Sequence, residues 1–163
     1  MILTRTTQYA IQTMVYMAMQ PAGMPVLVRT MAAQLGVPAP YLAKIMQQLG
    51  RAGMVSSTRG RLGGFRLLPE AEHTTLMQIL TLVEGPGVAI TCVLGLKTCE
   101  ERTACPMHTQ WAPIKSRVLA LLEGRTVGQL AAAVRSGRFR LADIPATLAP
   151  ALAASPRPRK APT

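Results

Sequence analysis

The chain has 163 residues, 49% of them apolar and only 4% aromatic, with a formal net charge of +11. That length suits one domain of ordinary size, and Leu, Ile, Val, Met and Ala must pack its core, which favours helix over sheet. No run reaches the ~18 uninterrupted apolar residues of a membrane span. The start from Met1 to Gln20 lacks a secretory cleavage pattern, and three cysteines without an export signal point to a reducing cytoplasm.

The first apolar-periodic segment runs from about Thr4 to Gln20, with Tyr9, Ala10, Met14, Met17 and Ala18 as its buried stripe, and stops at the breaker cluster Pro21 to Pro25. The second, about Leu27 to Leu35, ends at Gly36. The third, about Pro40 to Ala52, turns Leu42, Ile45, Met46 and Leu49 inward and ends at Gly53. Two short strands follow, Met54–Thr58 and Phe65–Leu68, joined by a Gly-rich hairpin. A fourth helix spans Thr75 to Glu84 with Thr74 as N-cap and Leu76, Ile79, Leu80 and Val83 on one face. Residues 88–104 read as an irregular loop. A fifth helix begins at Pro106 and carries Trp111, Ile114, Val118, Leu121 and Leu122 as one packing stripe. Residues 126–136 add a further helix. Beyond about Arg140 the chain is Ala/Pro-rich and ends in the basic run Pro156 to Lys160, the composition of a disordered tail.

Charge is segregated along this order. Arg5, Arg29, Lys44, Arg51, Arg59, Arg61 and Arg66 fall within residues 1–69, which contain no Asp or Glu; every acid lies from Glu70 onward. A single sign of charge over such a length points to a polyanion, against the plainer reading of a surface kept basic for solubility. The second and third segments have the makings of a helix-turn-helix. Ala32 is small enough for a helix crossing, Gly36 follows four residues later, and Leu42 and Ile45 face the first helix. The third helix would then enter a major groove with Tyr41, Lys44, Gln47, Gln48 and Arg51 outward, where Gln reads adenine edges and Lys or Arg reaches guanine or phosphate. Arg29 precedes it on the second helix. The hairpin carries Arg59 and Arg61 at its tip, suited to a minor groove or phosphates. Taken alone the hairpin is a common turn; helix-turn-helix, basic wing and absence of acids in this order make a winged helix.

The cysteines form the second constellation, Cys92-x6-Cys99-x5-Cys105-x2-His108. A helix starting near Pro106 puts Cys105 and His108 on one face, and its N-terminus adds positive potential that favours thiolate and an anionic centre. Cys3His is a legitimate zinc set, yet zinc sites draw on tighter ligand pairs, whereas iron–sulfur clusters tolerate longer irregular loops. A reversible disulfide among the thiols and three inert buried cysteines are the remaining readings. A cysteine-nucleophile enzyme would need an oriented base; only His108 offers one, with no acid assigned to orient it, so the chain is read as a non-enzyme. His73 reads as a surface or capping residue and Trp111 as a packing anchor.

Leu3-Thr4-Arg5-x-x-x-Tyr9-Ala10, Tyr41-Leu42-x-Lys44-Ile45-x-x-x-Leu49, Gly53-x-Val55-x-Ser57-x-Arg59-Gly60, Gly63-Gly64-Phe65-x-Leu67 and the loop Cys92…Cys99…Cys105-Pro106-x-His108 occur in that order. Over about residues 1–135 the chain resembles the Rrf2 family of bacterial transcription regulators. The resemblance implies a mainly α fold with a small β wing: a winged helix-turn-helix plus a long C-terminal dimerisation helix that crosses its partner in a homodimer. It implies binding to double-stranded DNA at a palindromic operator, more often as a repressor. It further implies an iron–sulfur cluster on Cys92, Cys99 and Cys105, whose state, set by cluster supply, iron, nitric oxide or redox conditions, governs DNA affinity. In the family's nitric-oxide branch the fourth ligand is an Asp near the N-terminus of the other subunit; Gln8 stands there. In its cluster-biogenesis branch the ligand is a His three residues after the last Cys, which His108 matches, although that branch spaces its first two cysteines one residue closer and carries a Glu where Ala43 stands. Three Cys and one His favour [2Fe-2S], with [4Fe-4S] open; the alternative is a cluster-free thiol-disulfide regulator. The expected organisation is a DNA-binding domain over 1–84, a cysteine loop over 85–105, a dimerisation region over 106–136 and a basic tail over 140–163.

Overall fold

The computed structural model describes residues 3–60, 63–90, 92–96, 100–137 and 139–141. Arg61, Cys99 and the tail from residue 142 on lie outside the described residues. Helix α1 (Arg5–Ala18) is the hub of the core, packing against α2 (Val28–Leu35), α3 (Ala39–Arg51), α4 (Leu76–Glu84), α6 (Val127–Arg135) and the wing. Ala10, Met14, Met17 and Ala18 are buried as expected; Tyr9 is only half-buried. The Thr4 hydroxyl caps α1, accepting from the Thr7 amide at 3.3 Å.

Helix α1 has no acid in its first turn and no base in its last. Distant segments supply both. The Glu84 carboxylate, at the end of α4, accepts from the hydroxyls of Thr4 and Thr7, and Arg135, at the end of α6, donates to the Ala18 carbonyl at 2.9 Å. Each charge sits at the end of α1 that its sign favours.

Between α2 and α3, Gly36 adopts the left-handed conformation at φ 64°, and the Val37 amide returns to the Ala32 carbonyl at 2.9 Å. Leu42, Ile45, Met46 and Leu49 are all buried on α3. The wing is an antiparallel pair, β1 (Val55–Thr58) and β2 (Gly64–Leu67), in the register Val55↔Leu67 to Thr58↔Gly64. Val26 adds a one-residue third strand through two backbone bonds with Phe65, at 2.7 and 2.9 Å. That contact demands glycine at position 64: a Cβ there would lie 2.6 Å from the Val26 carbonyl oxygen.

Two expected boundaries are corrected. Thr75, not Thr74, caps α4, in a capping box with Gln78. Thr74 closes a 3-10 turn over Pro69–His73, and its carbonyl accepts from Val127 at 3.0 Å, so its backbone is already committed. A matching box, Thr126 with Gln129, opens α6 beside it, and the two caps meet in a bridge. Helix α5 spans His108–Glu123, starting two residues after Pro106. The His108 amide turns back to the Cys105 carbonyl at 2.9 Å, which places Pro106 and Met107 in a turn. The region expected to be wholly irregular also holds 3-10 turns at Pro86–Ile90 and Glu101–Thr103.

The expected single stripe on α5 divides. Only Leu122 is buried. Val118 is half-buried against the core, while Ile114 and Leu121 are 50% and 58% exposed. No helix among the described residues is long and apolar enough to cross a membrane.

Candidate nucleic-acid interface and thiol site

The α3 face away from α1 and the wing form two walls of one cleft. Gln47, Gly50 and Arg51 line one side, Ser56 and Ser57 on β1 the other. Lys44, Gln47 and Arg51 are exposed on α3; Arg29 is exposed on α2 and Arg59 at the end of β1. Thr58 accepts from the Arg66 guanidinium at 3.1 Å, a tie across the two wing strands near their tip.

Tyr41 and Gln48 are engaged within the chain. The Tyr41 hydroxyl pairs with that of Thr6 on α1, and its ring meets Tyr9 edge-on at 6.0 Å and 82°. Tyr41 keeps 37% of its surface exposed at the start of α3. Gln48 is half-buried, and its amide donates to the Leu82 carbonyl on α4 at 2.9 Å. Thus α3 is tied to α1 at one end and to α4 near the other. Sequence reasoning missed Thr6, Leu82 and Glu84 as partners. Tyr41 and Gln48 carry the right chemistry to be suspected, but nothing local marks what lies 35 or 34 residues away.

The second site lies past α4. Cys92 is 4% exposed and opens a tight turn: its carbonyl accepts from Gly95 at 3.0 Å and its amide donates to the Leu96 carbonyl at 3.2 Å. Its thiol donates to the Cys105 sulfur at 3.4 Å. The backbone amide of Leu94 holds the Cys92 thiol below the usual thiol range; burial opposes this, while Cys105, the Leu96 backbone and the charge of Lys115 add to it. Cys105 and His108 are both half-buried, bracketing the turn into α5. Among the described residues, no three His, Cys, Asp or Glu side chains gather closely enough to hold a metal. Two of the four expected ligands, Cys92 and Cys105, are therefore brought together. Their spacing suits a shared centre, since two sulfurs about 2.3 Å from one tetrahedral metal stand about 3.8 Å apart. The Gln8 side chain, by contrast, donates to the Leu3 carbonyl at 3.3 Å.

The family model for Rrf2, described as iron-dependent transcriptional regulators, matches residues 3–133. The chain belongs to the Rrf2 family. It is 32% identical over 130 residues to the HTH-type transcriptional regulator IscR of Vibrio atlanticus (strain LGP32), covering 80% of this chain and 75% of that protein. The IscR of Aliivibrio salmonicida (strain LFI1238) is 30% identical over 130 residues, with 80% and 77% covered. Among solved structures, CymR, the global cysteine regulator of B. subtilis, superposes with a TM-score of 0.66 at 25% identity over 80% of this chain and 96% of that one. T. potens IscR has the same fold, with a TM-score of 0.65 at 23% identity over 85% and 91%. The mainly α winged-helix fold and the Rrf2 membership expected from sequence are borne out, and the protein is an Rrf2-type transcriptional regulator.

Proposed function

We propose that this regulator is a cytoplasmic homodimer that represses from a palindromic operator, and that an iron–sulfur cluster on Cys92, Cys99, Cys105 and His108 sets its affinity for that operator. The single observation that carries the sensor assignment is the meeting of the Cys92 and Cys105 sulfurs at 3.4 Å, beside the start of α5. Cys99 joins the set by its place between them in the sequence, and His108 by its position one turn after Cys105. When bound, such a cluster supplies a centre whose charge and integrity follow redox state and iron supply. The chain's own part is mechanical. Cys92 anchors the segment after α4, Cys105 and His108 anchor the start of α5, and Glu84 clamps the end of α4 to the start of α1.

The seam for a second copy is on α5. Met107, just before α5, and Trp111, Ile114, Val118 and Leu121 on it follow alternating steps of four and three, the spacing of a coiled-coil face, with Val118 at its edge against the core. Met107, Ile114 and Leu121 are between 45% and 58% exposed. The buried indole N–H of Trp111 has no hydrogen-bond partner within the chain among the described residues. On the DNA side, Arg29, Tyr41, Lys44, Gln47, Arg51 and the wing arginines Arg59 and Arg61 supply contacts to bases and phosphates, while Gln48, expected among them, holds α3 to the Leu82 carbonyl of α4.

Protein purified without oxygen is expected to be coloured and to contain iron and acid-labile sulfide. Colourless protein with stoichiometric zinc would overturn the cluster. His108→Ala should change the visible spectrum; an unaltered spectrum removes His108 from the ligand set. Replacing Arg59 and Arg61 together by Ala should lower the slope of log affinity against log salt by about 1.8, about 0.9 per lost phosphate contact. An unchanged slope would remove the wing from the interface.

A further inference from the structure

We propose that in the metal-free protein Cys92 and Cys105 are a specific oxidation pair: a peroxide closes them into one intramolecular disulfide and leaves Cys99 a thiol. The inference does not depend on the cluster assignment, since it concerns protein that holds no metal.

The geometry names the pair. The two sulfurs already touch at 3.4 Å. A disulfide needs about 2.0 Å, so the thiols must close by about 1.4 Å. The surroundings permit that movement. Cys92 sits in a turn whose next residues, Val93 and Leu94, are 47% and 57% exposed, and whose Gly95 takes the left-handed conformation at φ 79°. Cys105 lies between the short turn Glu101–Thr103 and the turn into α5. Neither sulfur is locked among the side chains packed around α1, so closure moves loop and not core.

Exposure sets the order of attack. Cys105 is half-buried and Cys92 buried, so the Cys105 sulfur meets peroxide first. Its S–O bond forms as the O–O bond breaks; the thiol proton goes to the departing hydroxide as water, and Cys105 becomes a sulfenic acid. The Cys92 sulfur then attacks the Cys105 sulfur. The S–S bond forms, the S–O bond breaks, and the second oxygen leaves as water with the Cys92 proton. Two thiols are oxidised and one peroxide is reduced to two waters. The plainer alternative is a pair of thiols merely packed together, which would be alkylated or overoxidised independently.

The sequence makes the test clean. Lys97, Arg102 and Lys115 place Cys92, Cys99 and Cys105 in three separate tryptic peptides, 67–97, 98–102 and 103–115. Full-length protein is stripped with a chelator under reductant, freed of both, treated with one equivalent of hydrogen peroxide, alkylated and digested without reduction. The expected product is 67–97 joined to 103–115, two hydrogens lighter than the sum, with 98–102 fully alkylated and dithiothreitol restoring both thiols. Cys99→Ser should give the same link. Cys92→Ser should leave a Cys105 sulfenic acid that dimedone traps. A link through 98–102, a disulfide between two chains, or complete alkylation of all three peptides overturns the proposal.

Discussion

The winged helix and helix α5 spend their apolar residues in opposite ways. Helices α1, α2 and α3 bury Met14, Met31, Leu42, Met46 and Leu49 completely, within one chain. Helix α5 is 16 residues long and buries only Leu122, while holding Ile114 and Leu121 to solvent, as Met107 is just before it. The first region is saturated with contacts; the second carries apolar side chains that the described residues leave largely uncovered. Exposed apolar side chains at that spacing are the face that the proposed second copy would cover. The thiol pair sits at the junction between them, beside the start of α5 and after α4.

The contrast is sharpest where substitution should hit one region and spare the other. Met14→Ala removes a wholly buried side chain from the hub and should cost about 2–5 kcal/mol in denaturant unfolding. A loss under about 1 kcal/mol would mean that the core is looser than its burial implies. Ile114→Glu with Leu121→Glu should do the reverse, turning a dimer into monomers in sedimentation while shifting the unfolding free energy of the isolated monomer by less than about 0.5 kcal/mol. Dimers that survive this double change would place the seam elsewhere. Thr126→Ala removes the cap of α6 and should cost about 1 kcal/mol of stability. An effect of the same size belongs to Gln48→Ala, which removes the α3 to α4 tie and should cost about 0.5–1.5 kcal/mol by the same measurement. A value near zero would mean that water replaces the Leu82 carbonyl bond without loss.

What could be read from sequence follows from the range of the physics involved. The inward set on α3 was legible because Leu42, Ile45, Met46 and Leu49 repeat at helical spacing, and Gly36 and Gly53 mark ends through left-handed geometry that local sequence announces. The cap of α4 was misplaced by one residue because Thr74 and Thr75 are chemically equal caps. The choice between them is made by Val127, which takes the Thr74 carbonyl from 53 positions away. The α5 stripe was legible as apolar but not as divided, since an exposed apolar face and a face packed on the core obey the same periodicity. The thiol site was half legible. Spacing nominated the cysteines, but the meeting of Cys92 with Cys105 is decided by how the chain turns at Gly95 and before α5. Glu84 as the trans cap of α1 left no trace, because its partner Thr4 lies 80 residues earlier.

The two borrowed charges of α1 also fix a calendar for synthesis. Its amino end waits for Glu84, and its carboxyl end waits for Arg135, 117 residues after the carbonyl it caps. A ribosome delivers α1, α2, α3 and both wing strands before either arrives. Helix α1 therefore has both of its end contacts only once α6 has emerged, and a product cut short before α6 lacks the far anchor of this first helix.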